Sequence, residues 1–202
     1  MSEIRKQKVT MTYSISPIHT TDDFKGHWTL ADKIEVFVAR VEGWHLGVAK
    51  EIIKRDIPSR DLARLHIVTS FFEMISYYTS GIVRERKSKE HFQRGVRLIF
   101  PEIKPEAKAF LDSLYKYVRN GLYHIGRPAP NVIIAKDLPV SVGYNSQDDL
   151  IMVNPDQLVE DVLIAFAAYA RDLRNPENKQ LRSNFEKRFD SDNRLARTTG
   201  RH

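Results

Sequence analysis

Apolar residues recurring at spacings of three and four constrain this chain more than any other feature. Leu30, Ile34, Phe37, Val41, Trp44, Val48 and Ile52 form one continuous stripe, which is the pattern of a helix with a single buried face. Thr29 or Asp32 supplies its cap, Gly43 and Gly47 weaken its middle, and Pro58 stops it. A second helix opens after Ser59, turns Leu62, Leu65, Val68, Phe72, Ile75 and Tyr78 inward, and closes at Gly81. A charged connection over residues 84–90 leads to a short third helix with Phe92, Val96 and Ile99 inward and Pro101 at its end. Pro105 starts a fourth as a first-turn proline. Its buried face is Ala107, Leu111, Leu114, Val118 and Leu122, and Gly121 and Gly126 mark its end ahead of Pro128 and Pro130. Asn154 and Pro155 serve as cap and first turn of a fifth helix, apolar on most sides, that runs to Arg174. After Pro176, Leu181, Phe185 and Phe189 make a last short stripe.

The β signal is smaller. Val9, Met11, Tyr13 and Ile15 alternate with polar residues over positions 8–16 until Pro17, as in a strand with one wet face. The runs Val132-Ile133-Ile134 and Leu150-Ile151-Met152-Val153 flank a polar stretch with Gly143, Asn145, Asp148 and Asp149. They predict an antiparallel hairpin, joined by the N-terminal strand into a small sheet. The expected fold is therefore mainly α: an antiparallel helical bundle with a small β-hairpin or three-stranded sheet insertion. The 202 residues suit one domain able to bury a core without staples. That domain is expected over residues 1–190, with the β insertion near 131–153 and a basic tail over 191–202.

Composition narrows the chemistry. There are no cysteines, so disulfide, thiolate-metal and thiol redox chemistry are excluded. The histidines at 19, 27, 45, 66, 91, 124 and 202 form no His-x3-His or His-Glu-x2-His motif, so no metal site is expected. No glycine-rich phosphate loop and no Gly-x-Ser-x-Gly elbow is present, and no cofactor is expected. The polar start of the chain is unlike a signal peptide. The longest apolar stretch, residues 162–170, is too short to span a bilayer; a cytoplasmic protein without a membrane partner is expected. The net charge of +6 favours an acidic partner weakly. Half of it lies in residues 181–202, where six basic residues face three acidic ones.

One segment departs from plain packing: Arg119-Asn120-Gly121-Leu122-Tyr123-His124 at the end of the fourth helix. Asn120 and His124 are four residues apart, on one helix face, where an amide can hold an imidazole in one tautomer. Arg119 and His124 diverge by about 140° around an ideal helix and about 7.5 Å along it. Arginine's reach, or a break near Gly121, is needed to bring them together. Tyr115 and Tyr123 lie four residues to either side of Arg119 and can pack on its guanidinium. The structural alternative is a cationic helix end that complements the helix dipole, with glycine as terminator.

Arg119-Asn120-x3-His124 resembles the Arg-x4–6-His signature of the HEPN superfamily (higher eukaryotes and prokaryotes nucleotide-binding). The likeness extends at the level of pattern over roughly residues 30–175. Phe72-Glu73-Met74-Ile75 resembles that family's earlier helix with an acidic residue, and residues 88–101 resemble its intervening short helix. The resemblance implies a metal-independent endoribonuclease acting on RNA as a homodimer with two motifs at the interface, in a toxin–antitoxin or antiviral role. An antitoxin or a nucleotidyltransferase is then an expected partner. The alternative is a catalytically inactive member serving as a dimerisation or interaction module for a protein or nucleotide. A basic nucleic-acid binder without cleavage is a third reading.

Under the first reading His124 is the acid/base, Arg119 the phosphate clamp, and Asn120 an orienter of either. Arg127 and Tyr123 are expected substrate contacts, Glu73 pairs with Arg119, and Tyr115 supports it. Two protomers supply the two histidines that transphosphorylation needs, and the products carry 2′,3′-cyclic phosphate ends.

Overall fold

The computed structural model describes residues 12–193 apart from 25, 27, 56, 85, 86 and 105. It is a helical bundle carrying a small three-stranded mixed sheet. Most of the expected strand over 8–16 lies outside the described residues. The part within them is not a strand: the chain turns at Pro17, and a single antiparallel bridge joins Ser14 to Thr20.

The first helical stripe folds as α1 (Leu30–Arg40), a π-helical turn (Val41–His45) and α2 (Leu46–Ile53). Thr29 caps α1 in a reciprocal box with Asp32, which satisfies two of the orphan donors at the helix start. The π turn carries one residue more than an α turn, so the buried face slips by one position. Leu46 and Ala49 are fully buried, whereas Trp44 and Val48 are 50% and 41% exposed. The continuous stripe read from the sequence is therefore correct as far as Val41 and out of register beyond it.

Helix α3 (Arg60–Ser80) is the central element, and Gly81, at φ 67°, ends it. Its buried face is Leu65, Val68, Phe71, Phe72, Ile75 and Tyr78. Helix α4 (Ser88–Ile99) crosses it closely. A Cβ on Gly95 would lie 1.8 Å from the Phe72 carbonyl oxygen, so this crossing requires glycine.

The fourth stripe is likewise interrupted. It comprises α5 (Lys108–Ser113), a second π turn (Leu114–Arg119) and α6 (Asn120–Ile125). Pro105 lies outside the described residues, and regular helix begins at Lys108. Gly121 is interior to α6 rather than its end; Gly126, at φ 77°, is the cap.

Strands β1 (Val132–Ile134), β2 (Val142–Asn145) and β3 (Leu150–Val153) make a sheet of order β1-β3-β2. The two apolar runs pair parallel, with Val132 opposite Ile151. The antiparallel hairpin is instead β2 with β3. No N-terminal strand joins this sheet among the described residues. Helix α7 (Pro155–Arg174) starts at the Asn154 cap and packs on α3, and α8 (Lys179–Asn193) closes the bundle with Phe185 and Phe189 fully buried. Among the described residues no helix is long and apolar enough to cross a membrane.

Candidate functional site

The π turn delivers Arg119 to the junction of α3, α4 and α6. Its Nε donates to Glu73 Oε1 at 2.7 Å, and its Nη2 donates to Ser88 Oγ at 3.1 Å. Ser88 in turn donates to Glu73 Oε2 at 2.6 Å. The three side chains thus close a ring across α3, α4 and the π turn. Tyr123 and Tyr115 pack on the guanidinium, with ring centres 4.4 and 5.5 Å from Cζ. The Arg119 and Glu73 side chains are only 15% and 17% exposed, so removing one partner costs more than it would at a surface ion pair. A third bond runs from Arg119 Nη1 to Asn120 Oδ1 at 3.3 Å. Guanidinium carries five N–H donors, so among the described residues one on each terminal nitrogen is left unspent.

His124 sits in the last turn of α6, exposed, with no hydrogen bond or ion pair among the described residues. The Asn120–His124 bond that helix spacing allows is absent there, and Asn120 Oδ1 accepts from Arg119. Arg119 and His124 sit on one helical run, but Arg119 is drawn inward by Glu73 while His124 stands in solvent. The regular α-geometry of α6 between them supplies no break at Gly121. Arg127 is exposed beyond the helix, with Nη1 donating to Pro128 O at 3.4 Å.

Gly121 has a different task from the one its position suggested. A Cβ there would meet Arg127 O at 2.7 Å and Ala129 N at 3.0 Å. The loop after α6 folds back across it, and the Ala129 N–H donates to the Tyr117 carbonyl at 2.9 Å.

Two supports were not found by sequence reasoning. His66 on α3 places Nε2 at 2.9 Å from Leu122 O and Nδ1 at 3.0 Å from Leu62 O. Its ring lies 6.1 Å from that of Tyr123, so it ties α6 to α3 beside the motif. Asp149 sits at φ 49° in the β2–β3 turn, where an aspartate is ordinary. It also accepts from Ser113 Oγ at 2.5 Å, Tyr117 OH at 2.6 Å and Tyr144 OH at 3.1 Å. The Ser113 bond, then the Tyr117 bond, hold its carboxyl below the usual range. The sheet is thereby locked to the π turn that carries Arg119. Ser88 itself gave no signal beyond standing at a helix start; its partners are 15 and 31 residues away in sequence.

No group of three His, Asp or Glu side chains among the described residues is placed to hold a metal ion. No protein-family model, curated protein or solved structure matches this chain.

Proposed function

We propose that this chain is a metal-independent endoribonuclease of the HEPN kind, acting as a homodimer in toxin or defence-related RNA cleavage. One observation carries the reading: a guanidinium fixed by Glu73 and Ser88 shares a helical run with the exposed His124, and among the described residues two of its donors and the imidazole have no partner. A preorganised cation costs no reorganisation when charge develops on a phosphoryl group.

In the proposed reaction the RNA 2′-oxygen attacks the adjacent phosphorus and the bond from phosphorus to the 5′-oxygen breaks. His124 of one protomer takes the 2′-proton, and the partner's His124 protonates the departing 5′-oxygen. The free Arg119 donors hold the phosphoryl oxygens, with Arg127 and Tyr123 contacting the neighbouring nucleotide. A 2′,3′-cyclic phosphate and a 5′-hydroxyl result. Tyr115 and Glu73 support the clamp.

A second reading, a HEPN-like dimerisation module without activity, draws on the other side of the same geometry. Three Arg119 donors are spent inside the fold and its side chain is only 15% exposed. Incubating wild type, Arg119→Ala and His124→Ala with structured and unstructured RNA in EDTA separates the two. The ribonuclease reading expects cyclic-phosphate ends from wild type and a loss of about 100-fold or more in either variant. Uncut RNA across the panel, or an equally active His124→Ala, overturns it in favour of the inactive module.

A further inference from the structure

Away from the motif, α7 has a face that the described residues cover only in part. Asp161, Ile164, Ala165, Ala168 and Asp172 follow at helical spacing along it. They border a cavity of about 610 Å³ whose far wall is the end of α4, with Leu98, Phe100 and Glu102. Ile164 is 66% exposed and Leu98 41%. A second cavity of about 240 Å³, walled by Phe110, Leu114 and Val142, shares Phe100, Glu102 and Asp161 with the first. The two adjoin, with a pair of carboxylates where they meet.

Charge decides what such a groove accepts. The chain has more Lys and Arg than Asp and Glu, 32 against 26, yet among the described residues no Lys, Arg or His lines either cavity. The linings carry Glu102, Asp161 and Asp172 instead. Asp161 accepts from Ser141 and, at 3.0 Å, from Gln157, and ionised it retains acceptor capacity. Among the described residues the Asp172 carboxylate pairs with Arg171 alone, at 3.5 Å and with the two side chains 49% and 77% exposed, a pair weak enough for an incoming cation to replace.

We propose that this groove binds a basic amphipathic helix of a partner polypeptide. The distance along α7 from Asp161 to Asp172 is about 17 Å, which matches a partner helix of about three turns. Its apolar stripe lies on Ile164, Ala165 and Ala168, and the two alanines permit close approach beside the exposed Ile164. One large apolar residue enters the 240 Å³ cavity, and lysine or arginine side chains meet Glu102, Asp161 and Asp172. This is helix-in-groove recognition with acidic flanks. It is independent of whether the Arg119 motif cleaves RNA.

The probe is a fluorescent synthetic peptide of about 14 residues with leucines in one helical stripe and lysines elsewhere, read by anisotropy against the full chain. A glutamate-for-lysine version and a scrambled version accompany it. Expected are a Kd of about 10 µM for the lysine helix and at least about tenfold weaker binding of both controls. Glu102→Gln with Asp172→Asn should weaken binding about fivefold at low salt and little at high salt. Ala168→Glu, at a partly exposed helical position, should abolish it while far-UV circular dichroism stays unchanged. Equal binding of the scrambled peptide, or binding that survives Ala168→Glu, overturns the proposal. It is overturned also if sedimentation shows Ile164→Glu converting a dimer to a monomer, which assigns the groove to self-association. Removal of residues 194–202 that raises peptide affinity at least about tenfold overturns it too, by assigning the groove to the chain's own basic end.

Discussion

At the scale of single residues, Glu73 has the largest predicted effect around the motif. Removing it leaves the Arg119 guanidinium, 15% exposed, without its carboxylate. Glu73→Ala should cost about 2–3 kcal/mol, read as a lower urea midpoint, whereas a change within about 0.5 kcal/mol would show that the ring of Glu73, Ser88 and Arg119 contributes little. His45 makes a different prediction. It is half-buried in the first π turn with Nε2 on Ser70 Oγ at 2.8 Å, and burial lowers its pKa. The unfolded chain therefore binds the proton more readily. His45 contributes stability that is full above its unfolded pKa of about 6.5 and is lost as pH falls below it. Stability measured from pH 7.5 to 5 should fall less in His45→Gln than in wild type; parallel curves would remove His45 as the cause. The motif residues were legible because arginine, asparagine and histidine interrupt an amphipathic pattern. The Arg119–Glu73 pair was an expectation from the family resemblance and not from helical spacing, and Ser88 was not expected at all, since a serine at a helix start has an ordinary reason to be there.

At the scale of elements, helices were legible wherever apolar spacing stayed at three and four, and register failed where the backbone changed its turn. Nothing in Val41-Glu42-Gly43-Trp44-His45 distinguishes a π turn from an α turn with weak propensity. The two geometries expose different residues, so the point is measurable. Leu46→Ala should cost about 2–5 kcal/mol as a buried truncation, while Trp44→Lys and Val48→Lys should each stay within about 0.5 kcal/mol. The reverse ranking in thermal melts would mean that the α register persists. The sheet was misread for a related reason. Two apolar runs suggested a hairpin, but the second partner of β3 is Val142-Gly143-Tyr144-Asn145, which carries glycine and asparagine where strand propensity is low. Its pairing is secured by Tyr144 and by Asp149, contacts that the two-residue alternation of a strand does not encode.

At the scale of the whole molecule, the thinnest signal produced the strongest closure. Helix α8 was expected from three apolar residues alone, yet Phe185 packs edge-on against Phe37 at 5.2 Å and lies 5.7 Å from Tyr78. Lys33, with its side chain 6% exposed, reaches across to Glu186 and Asp190 at 2.7 and 2.8 Å. Asn184 and Arg188 donate to the Thr79 and Ile82 carbonyls, binding α8 to the end of α3. A Cβ on Gly81 would lie 2.9 Å from Asn184 Cα, so even the cap of α3 is shaped around α8. These contacts join α8 to the core that also holds α3 and the Arg119 junction, and a defect there should propagate. Phe185→Ala should cost about 3–5 kcal/mol, a large part of the 5–15 kcal/mol margin typical of folded domains. Trp28, whose ring lies 6.0 Å from Phe189, reports on the α8 side, and far-UV circular dichroism reports on the bundle. In urea both signals should move together to a lower midpoint in the variant, as one cooperative transition. Separation of the two curves, with the circular dichroism midpoint unchanged, would instead make α8 an appendage on a bundle that stands without it.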